Sequence, residues 1–184
     1  MVRPDILLSL SWAAGKLSHI DPYLPAQGRI LDIGSGRGLI TAELRTRGYE
    51  VTPLDVRDRS AQPAVRPRLY DGGTIPFPDN HFDCALLLTV LHHTPDPVAV
   101  IREAVRVARQ IIIIEDVYSN RVQKYLTFFT DSLFNLEFRG HPHTNKRDAE
   151  WRAVFDELGL SVTGSQTRPV LLIYRQCAYN LLKG

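Results

Sequence analysis

Cysteine is scarce in this 184-residue chain, with two in all, and long apolar runs are missing. Cys84 and Cys177 each sit inside an apolar stretch, where a free thiol behaves as a small hydrophobe, so nothing requires an oxidising compartment. No run approaches the ~20 apolar residues of a membrane-spanning helix. After Arg3, the residues Ile6, Leu7, Leu8, Leu10, Trp12, Ala13 and Ala14 faintly suggest a signal sequence, but Asp5, Ser9 and Ser11 interrupt them. The segment 1–20 reads instead as an amphipathic N-terminal helix, and a cytoplasmic protein is expected. A large excess of charge is also lacking: the net charge is +2, which gives no case for a nucleic-acid partner. Arg57, Arg59, Arg66 and Arg68 punctuate a proline-containing stretch and read as a solvated loop. With 44% hydrophobic and 23% charged residues, the chain has material for one sizeable core, so a single domain over 1–184 is expected.

What is present is organised around residues 29–40. Ile30, Leu31, Asp32 and Ile33 have the look of a short buried strand, which Gly34, Gly36 and Gly38 break into a tight turn. Leu39, Ile40 and Leu44 then share one face of a helix that Gly48 ends. Strand, glycine turn and helix together make a ligand-binding arrangement, because glycines let a ligand approach the backbone and the helix start offers free N–H groups. A dinucleotide fingerprint wants its third glycine at the sixth position, where this chain has Leu39, so a nicotinamide dehydrogenase is disfavoured.

The remaining chain alternates strand and helix patterns. Residues 50–55 read as a second strand ending in Asp55, which lies 21 positions after Gly34. An acid at that distance can accept from both hydroxyls of a ribose. Residues 66–70 are a weaker strand, pushed toward an edge by Pro67. The run from Cys84 to Leu88 lacks alternation, as does 111–114, and both read as strands covered on two faces, the second ending at Glu115 and Asp116. Between them, Asp96 and Pro97 start a helix carrying Val98, Ile101, Val105 and Ala108. Residues 118–138 are dense in aromatics, including Phe128, Phe129 and Phe134; they read either as a helix wedged between sheet and partner loops or as a lid or wall for an apolar substrate, a dimer face or a membrane-surface contact. Trp151, Val154, Phe155 and Leu158 mark a last helix, and 160–166 with 170–179 read as a terminal antiparallel pair. Such alternation argues for a doubly wound sheet whose ligands lie beyond the carboxyl ends of its strands.

The run Asp32 to Gly38, an acid two residues before Gly-x-Gly-x-Gly, resembles the first motif of class I S-adenosylmethionine-dependent methyltransferases. The stretch Asp71-Gly72 through Ile75-Pro76-Phe77 to Phe82-Asp83 is similar to the same family's segment between third and fourth strands. The resemblance covers roughly residues 20–180. It implies a three-layer, doubly wound α/β fold, Rossmann-like, with a mostly parallel seven-stranded sheet and an antiparallel terminal hairpin. It further implies S-adenosyl-L-methionine as cofactor, held by Asp32, Gly34, Ser35, Gly36, Asp55, Val56, Asp71, Gly72 and Leu88, with Asp55 on the ribose and Asp71 and Gly72 on the adenine. The expected reaction is in-line methyl transfer to a small-molecule acceptor, apolar or aromatic, with residues 118–146 as the substrate lid. Such a displacement needs positioning and exclusion of water more than a nucleophilic side chain. A base matters only for a protonated acceptor, and His93 is the candidate, among His92, His93, His141 and His143. No metal site is expected from these histidines, since adjacent ones diverge and no third ligand is evident. The alternative is a non-catalytic fold that binds the same cofactor, as a sensor or as an activating partner subunit.

Overall fold

The computed structural model describes residues 4–118, 144–170 and 174–184. Helix α1 (Pro4–Ile20) leads through a short turn into β1 (Arg29–Ile33), then α2 (Leu39–Thr46), β2 (Glu50–Asp55), β3 (Arg68–Leu69) and β4 (Phe82–Leu88). Helix α3 (Pro97–Val107) runs directly into β5 (Ala108–Val117). The last described elements are α4 (Asp148–Glu157), β6 (Leu160–Val170) and β7 (Tyr174–Lys183). The seven strands form one sheet in the order β3-β2-β1-β4-β5-β7-β6. The pairs from β3 to β5 are parallel, while β7 runs antiparallel to both β5 and β6. This is the doubly wound fold with a reversed terminal hairpin, and its order reverses between β1 and β4, where such sheets open a crevice.

Helices cover the sheet on both sides. Ala13, Leu17 and Ile20 of α1 and Ile40 and Leu44 of α2 pack with Ile30, Leu86, Ile112 and Ile114 on one face. Ile101 and Ala104 of α3 and Trp151 and Phe155 of α4 pack with Leu31, Leu87, Ile111 and Ile113 on the other. All four isoleucines of β5 are therefore fully buried, each stabilising the fold by about 1.5–3 kcal/mol. That two-sided covering is what a run without alternation encodes.

Local signals act where the sequence puts them. Asp96 accepts from the Ala99 N–H at 2.9 Å to cap α3, and Gly48 (φ 90°) follows α2 in the left-handed region.

Boundaries differ from the sequence reading in three places. The third strand is two residues long, because Pro67 removes a ladder donor just before it. The hairpin strands are longer than their apolar patterns, since cross-strand pairing from Leu160↔Lys183 to Val170↔Tyr174 carries exposed residues along. Most consequentially, β5 starts at Ala108, before its apolar run, and ends at Val117, one residue past its acids. Glu115 and Asp116 lie within it, paired with Cys177 and Gln176 of β7, and both are buried.

Candidate functional site

The glycine turn begins where β1 stops. The N–H groups of Gly34 and Ser35 both donate to the Leu54 carbonyl, at 2.8 and 3.2 Å, so the end of β2 sets the turn's path. Gly34 (φ 70°) has to be glycine, because a Cβ there would fall 2.6 Å from Val90 Cγ2. Gly36 (φ 53°) is different: a Cβ built on it meets nothing nearer than the Gly34 carbonyl at 3.9 Å. The backbone there faces open space, the property a close-lying ligand requires.

Around that opening the predicted residues gather. Asp55 Oδ2 accepts from the Gly36 N–H at 2.8 Å and Oδ1 from the Arg57 N–H at 3.1 Å, which locks the carboxylate at the mouth of the turn. Val56, next in sequence, is half exposed at 52% despite its apolar side chain. A Cβ on Gly72 would lie 3.4 Å from Val56 Cγ1, so the chain after β2 and the chain after β3 meet at this point. Asp71 is exposed and accepts from the Gly73 N–H at 2.9 Å. Ser35 contributes a buried hydroxyl oxygen with no hydrogen-bond partner.

Asp32 has another place. It is 2% exposed, beneath the turn, and accepts from Thr41 Oγ1 of α2 at 2.6 Å. Burial pushes its pKa up to about 6, with the Thr41 hydrogen bond and the Lys16 charge pulling the other way. Its geometry is that of a residue holding strand to helix under the turn.

On the β4 side, Leu88 ends the strand one residue beyond the Ile33↔Leu87 pairing, and Thr89 follows with φ 60°, a left-handed conformation that costs a β-branched residue energy. The next three-residue 3₁₀ turn, Leu91–His93, carries both histidines. His92 is buried, with Nδ1 2.5 Å from Glu115 Oε2, while Glu115 Oε1 accepts from the Val90 and Leu91 N–H groups at 3.0 and 2.8 Å. His93 is half buried, and its ring lies 4.2 Å from that of His92 at 40°. His141, His143 and the aromatic residues Phe128, Phe129 and Phe134 lie outside the described residues. The far end of that segment does return to the site: the Thr144 hydroxyl donates to the Leu91 carbonyl at 3.0 Å. Beside it, Asn145 is 6% exposed with both amide atoms unpaired.

One participant escaped the sequence reading. Lys16 of α1 is 3% exposed, and its ammonium donates to the Leu88 carbonyl at 2.9 Å and to the Thr89 hydroxyl. The Trp12 ring covers it at 3.3 Å. Burial brings its pKa down to about 7 against the opposing pull of Asp116, Glu115 and Asp32. The signal was available, since Ala13, Lys16, Leu17 and Ile20 follow the i, i+3, i+4, i+7 spacing of a buried helix face.

Set beside known proteins, residues 31–111 match a family model described as a methyltransferase domain. Over 106 residues the chain is 26% identical to a ubiquinone biosynthesis O-methyltransferase of Nitrosospira multiformis, covering 51% of this chain and 44% of that protein. Over 123 residues it is 35% identical to an uncharacterised methyltransferase of Mycobacterium bovis, covering 58% and 50%. The matches thus span about half the length of these relatives. Among solved structures, a SAM-dependent methyltransferase from Methanosarcina mazei superimposes with a TM-score of 0.69 at 19% identity, over 89% of this chain and 96% of that one. The magnesium protoporphyrin IX methyltransferase of Synechocystis, determined with bound SAH, gives 0.68 at 17%, over 96% and 84%.

Proposed function

We propose that this chain, a class I S-adenosylmethionine-dependent methyltransferase in family and fold, transfers a methyl group to an apolar or aromatic small molecule. The observation that carries the reading is convergence: the open backbone at Gly36, the Asp55 carboxylate, the Val56–Gly72 contact and His93 all lie at the carboxyl edge of one sheet. The residues fit the cofactor. Gly36 leaves room against the backbone, the orphaned Ser35 hydroxyl has a hydrogen bond still to make, and Val56 exposes an apolar surface of the kind a purine covers.

When bound, S-adenosylmethionine supplies a methyl group already activated on a sulfonium. The chain's own part is to bind, orient and exclude water. In this reading Gly34, Ser35, Gly36 and Leu88 receive the amino-acid end, with Asp32 fixing the turn from below. Asp55 presents its carboxylate to the ribose hydroxyls, and Val56, Asp71 and Gly72 receive the adenine. His93 accepts the proton of a hydroxyl or ammonium acceptor at an imidazole nitrogen, which a neutral ring does at physiological pH. One relative supports an oxygen acceptor, since it is named as an O-methyltransferase of ubiquinone biosynthesis. No described helix is long and apolar enough to cross a membrane.

The test is incubation of the purified protein with methyl-labelled cofactor and fractionated small-molecule extracts. Label in an apolar or aromatic product supports the proposal. Cofactor binding without transfer to any fraction would leave a binding module and sink the enzymatic reading.

A further inference from the structure

Lys16 is a poor choice for a packing residue. An ammonium on the sheet-facing side of α1 is expensive to desolvate unless something compensates it. Here it is caged by the Leu88 carbonyl, the Thr89 hydroxyl and the Trp12 ring. The acids around it are Asp32 on β1 and Glu115 and Asp116 on β5. Its own helix adds His19, and β6 adds Arg168, both of which line with Trp12, Lys16 and Gln176 a cavity of about 270 Å³ between α1 and the hairpin. Glu43 of α2 and Arg47, just past its end, face α1 further along, near Asp21. The Leu88 carbonyl that Lys16 holds is the one at the crevice, directly across from the glycine turn.

We propose that Lys16 and the α-ammonium of the cofactor compete for one cation seat, the Leu88 carbonyl beside Asp32, so that loading displaces Lys16 and shifts Trp12 with it. The inference rests on the cofactor reading above. Two ammonium groups on one carbonyl repel, and the cofactor's, tied to a ligand held at many other points, wins. The displaced side chain has a destination in the neighbouring cavity, but Arg168 and His19 line that cavity. Lys16 therefore enters it as the neutral amine and gives its proton to solvent. Its position near neutrality makes that release inexpensive.

The experiment is calorimetric titration of S-adenosylhomocysteine at pH 7 in two buffers of different ionisation enthalpy, with tryptophan fluorescence followed in parallel. With a lysine pKa of about 7, release of about half a proton per ligand is expected. Lys16→Met matches the side chain in length and removes the charge; it should abolish the release and bind the ligand about tenfold more tightly, because a charged hydrogen bond no longer has to be broken. The fluorescence change should vanish in Trp12→Phe, which retains Trp151 in the core. Lys16→Gln serves as a second variant should Met disturb the fold, with the same loss of proton release. Proton uptake in the wild type would mean that Lys16 grips the ligand's carboxylate, and would overturn the competition. So would equal affinity and no proton linkage in wild type and variant. If neither protein binds the ligand, the cofactor reading falls and this inference with it.

Discussion

The carboxylate of Glu115 meets His92 Nδ1 at 2.5 Å inside the protein, while its other oxygen accepts from the two backbone N–H groups that open the histidine turn. One buried side chain of β5 thus fixes the turn on which His93 rides. His92 is occupied by this contact, which separates the roles of two histidines that are neighbours in sequence.

Removing that carboxylate leaves two backbone donors and an imidazole without partners. Glu115→Ala should lower unfolding free energy by about 3–5 kcal/mol, since three buried polar groups lose their partner at about 1–3 kcal/mol each. Urea denaturation of the two proteins checks it; a loss under 1 kcal/mol would mean that water replaces the contacts.

Asp55→Ala should weaken S-adenosylhomocysteine binding at least tenfold. A charged acceptor serving two hydroxyls is worth on the order of 2–4 kcal/mol, and the variant also frees the Gly36 N–H that Asp55 holds at 2.8 Å. Calorimetry decides, and a loss below threefold would assign the ribose to another residue.

Gly34 and Gly36 should fail differently. Valine at 36 meets open space, so the protein should fold with a penalty of about 1–2 kcal/mol for the left-handed backbone and lose cofactor binding. Alanine at 34 collides with Val90 and should show mainly as a lower melting temperature. Thermal melts paired with binding titrations separate the two, and intact binding in Gly36→Val would remove the turn from the site.

His93→Gln should abolish a rate limb that rises through a histidine-like pKa, with an activity loss of about 10²- to 10⁴-fold if the ring is a base. Cofactor affinity should stay within twofold. Retention of the limb together with more than a tenth of the activity would reduce His93 to a wall of the pocket.

Asp32 gives a pH prediction. Its folded pKa is raised, from 3.8 to about 6, so the folded state holds the proton more tightly than the unfolded chain. The stabilisation is complete below pH 3.8 and is lost as pH rises through 6. Asp32→Asn keeps an acceptor for Thr41 and avoids the buried charge, so it should gain up to about 3 kcal/mol over wild type at pH 8, a difference that closes by pH 4. Melting curves at both pH values test this; equal curves at pH 8 would show that Lys16 neutralises the charge fully.

Much of this was legible in residue order. Apolar runs without alternation located β4 and β5, and Gly34, Gly36 and Asp55 were placed correctly relative to one another because a turn between two parallel strands leaves little freedom. What stayed hidden depended on tertiary packing. Glu115 and Asp116 read as the end of a strand, and their burial was not foreseen, since acids are seldom buried; the pairing with β7 is what encloses them in the ladder. Lys16 was passed over although its spacing puts it on the buried face of α1, because a charge stands there where periodicity expects an apolar side chain. The aromatic residues of 118–146 lie for the most part outside the described structure, so their role as a lid is still an expectation.

The neighbouring acids of β5 have a further consequence. Successive side chains of a strand alternate between the faces of the sheet, so Glu115 serves the histidine turn on the α3 and α4 side while Asp116, held by Gln176 at 2.9 Å, serves the side of Lys16. The two networks are specified by parity alone. One residue inserted among the isoleucines would exchange their addresses, sending Glu115 toward the lysine and leaving the histidine turn without its anchor. Length within β5 is therefore as strictly constrained as the identity of its residues.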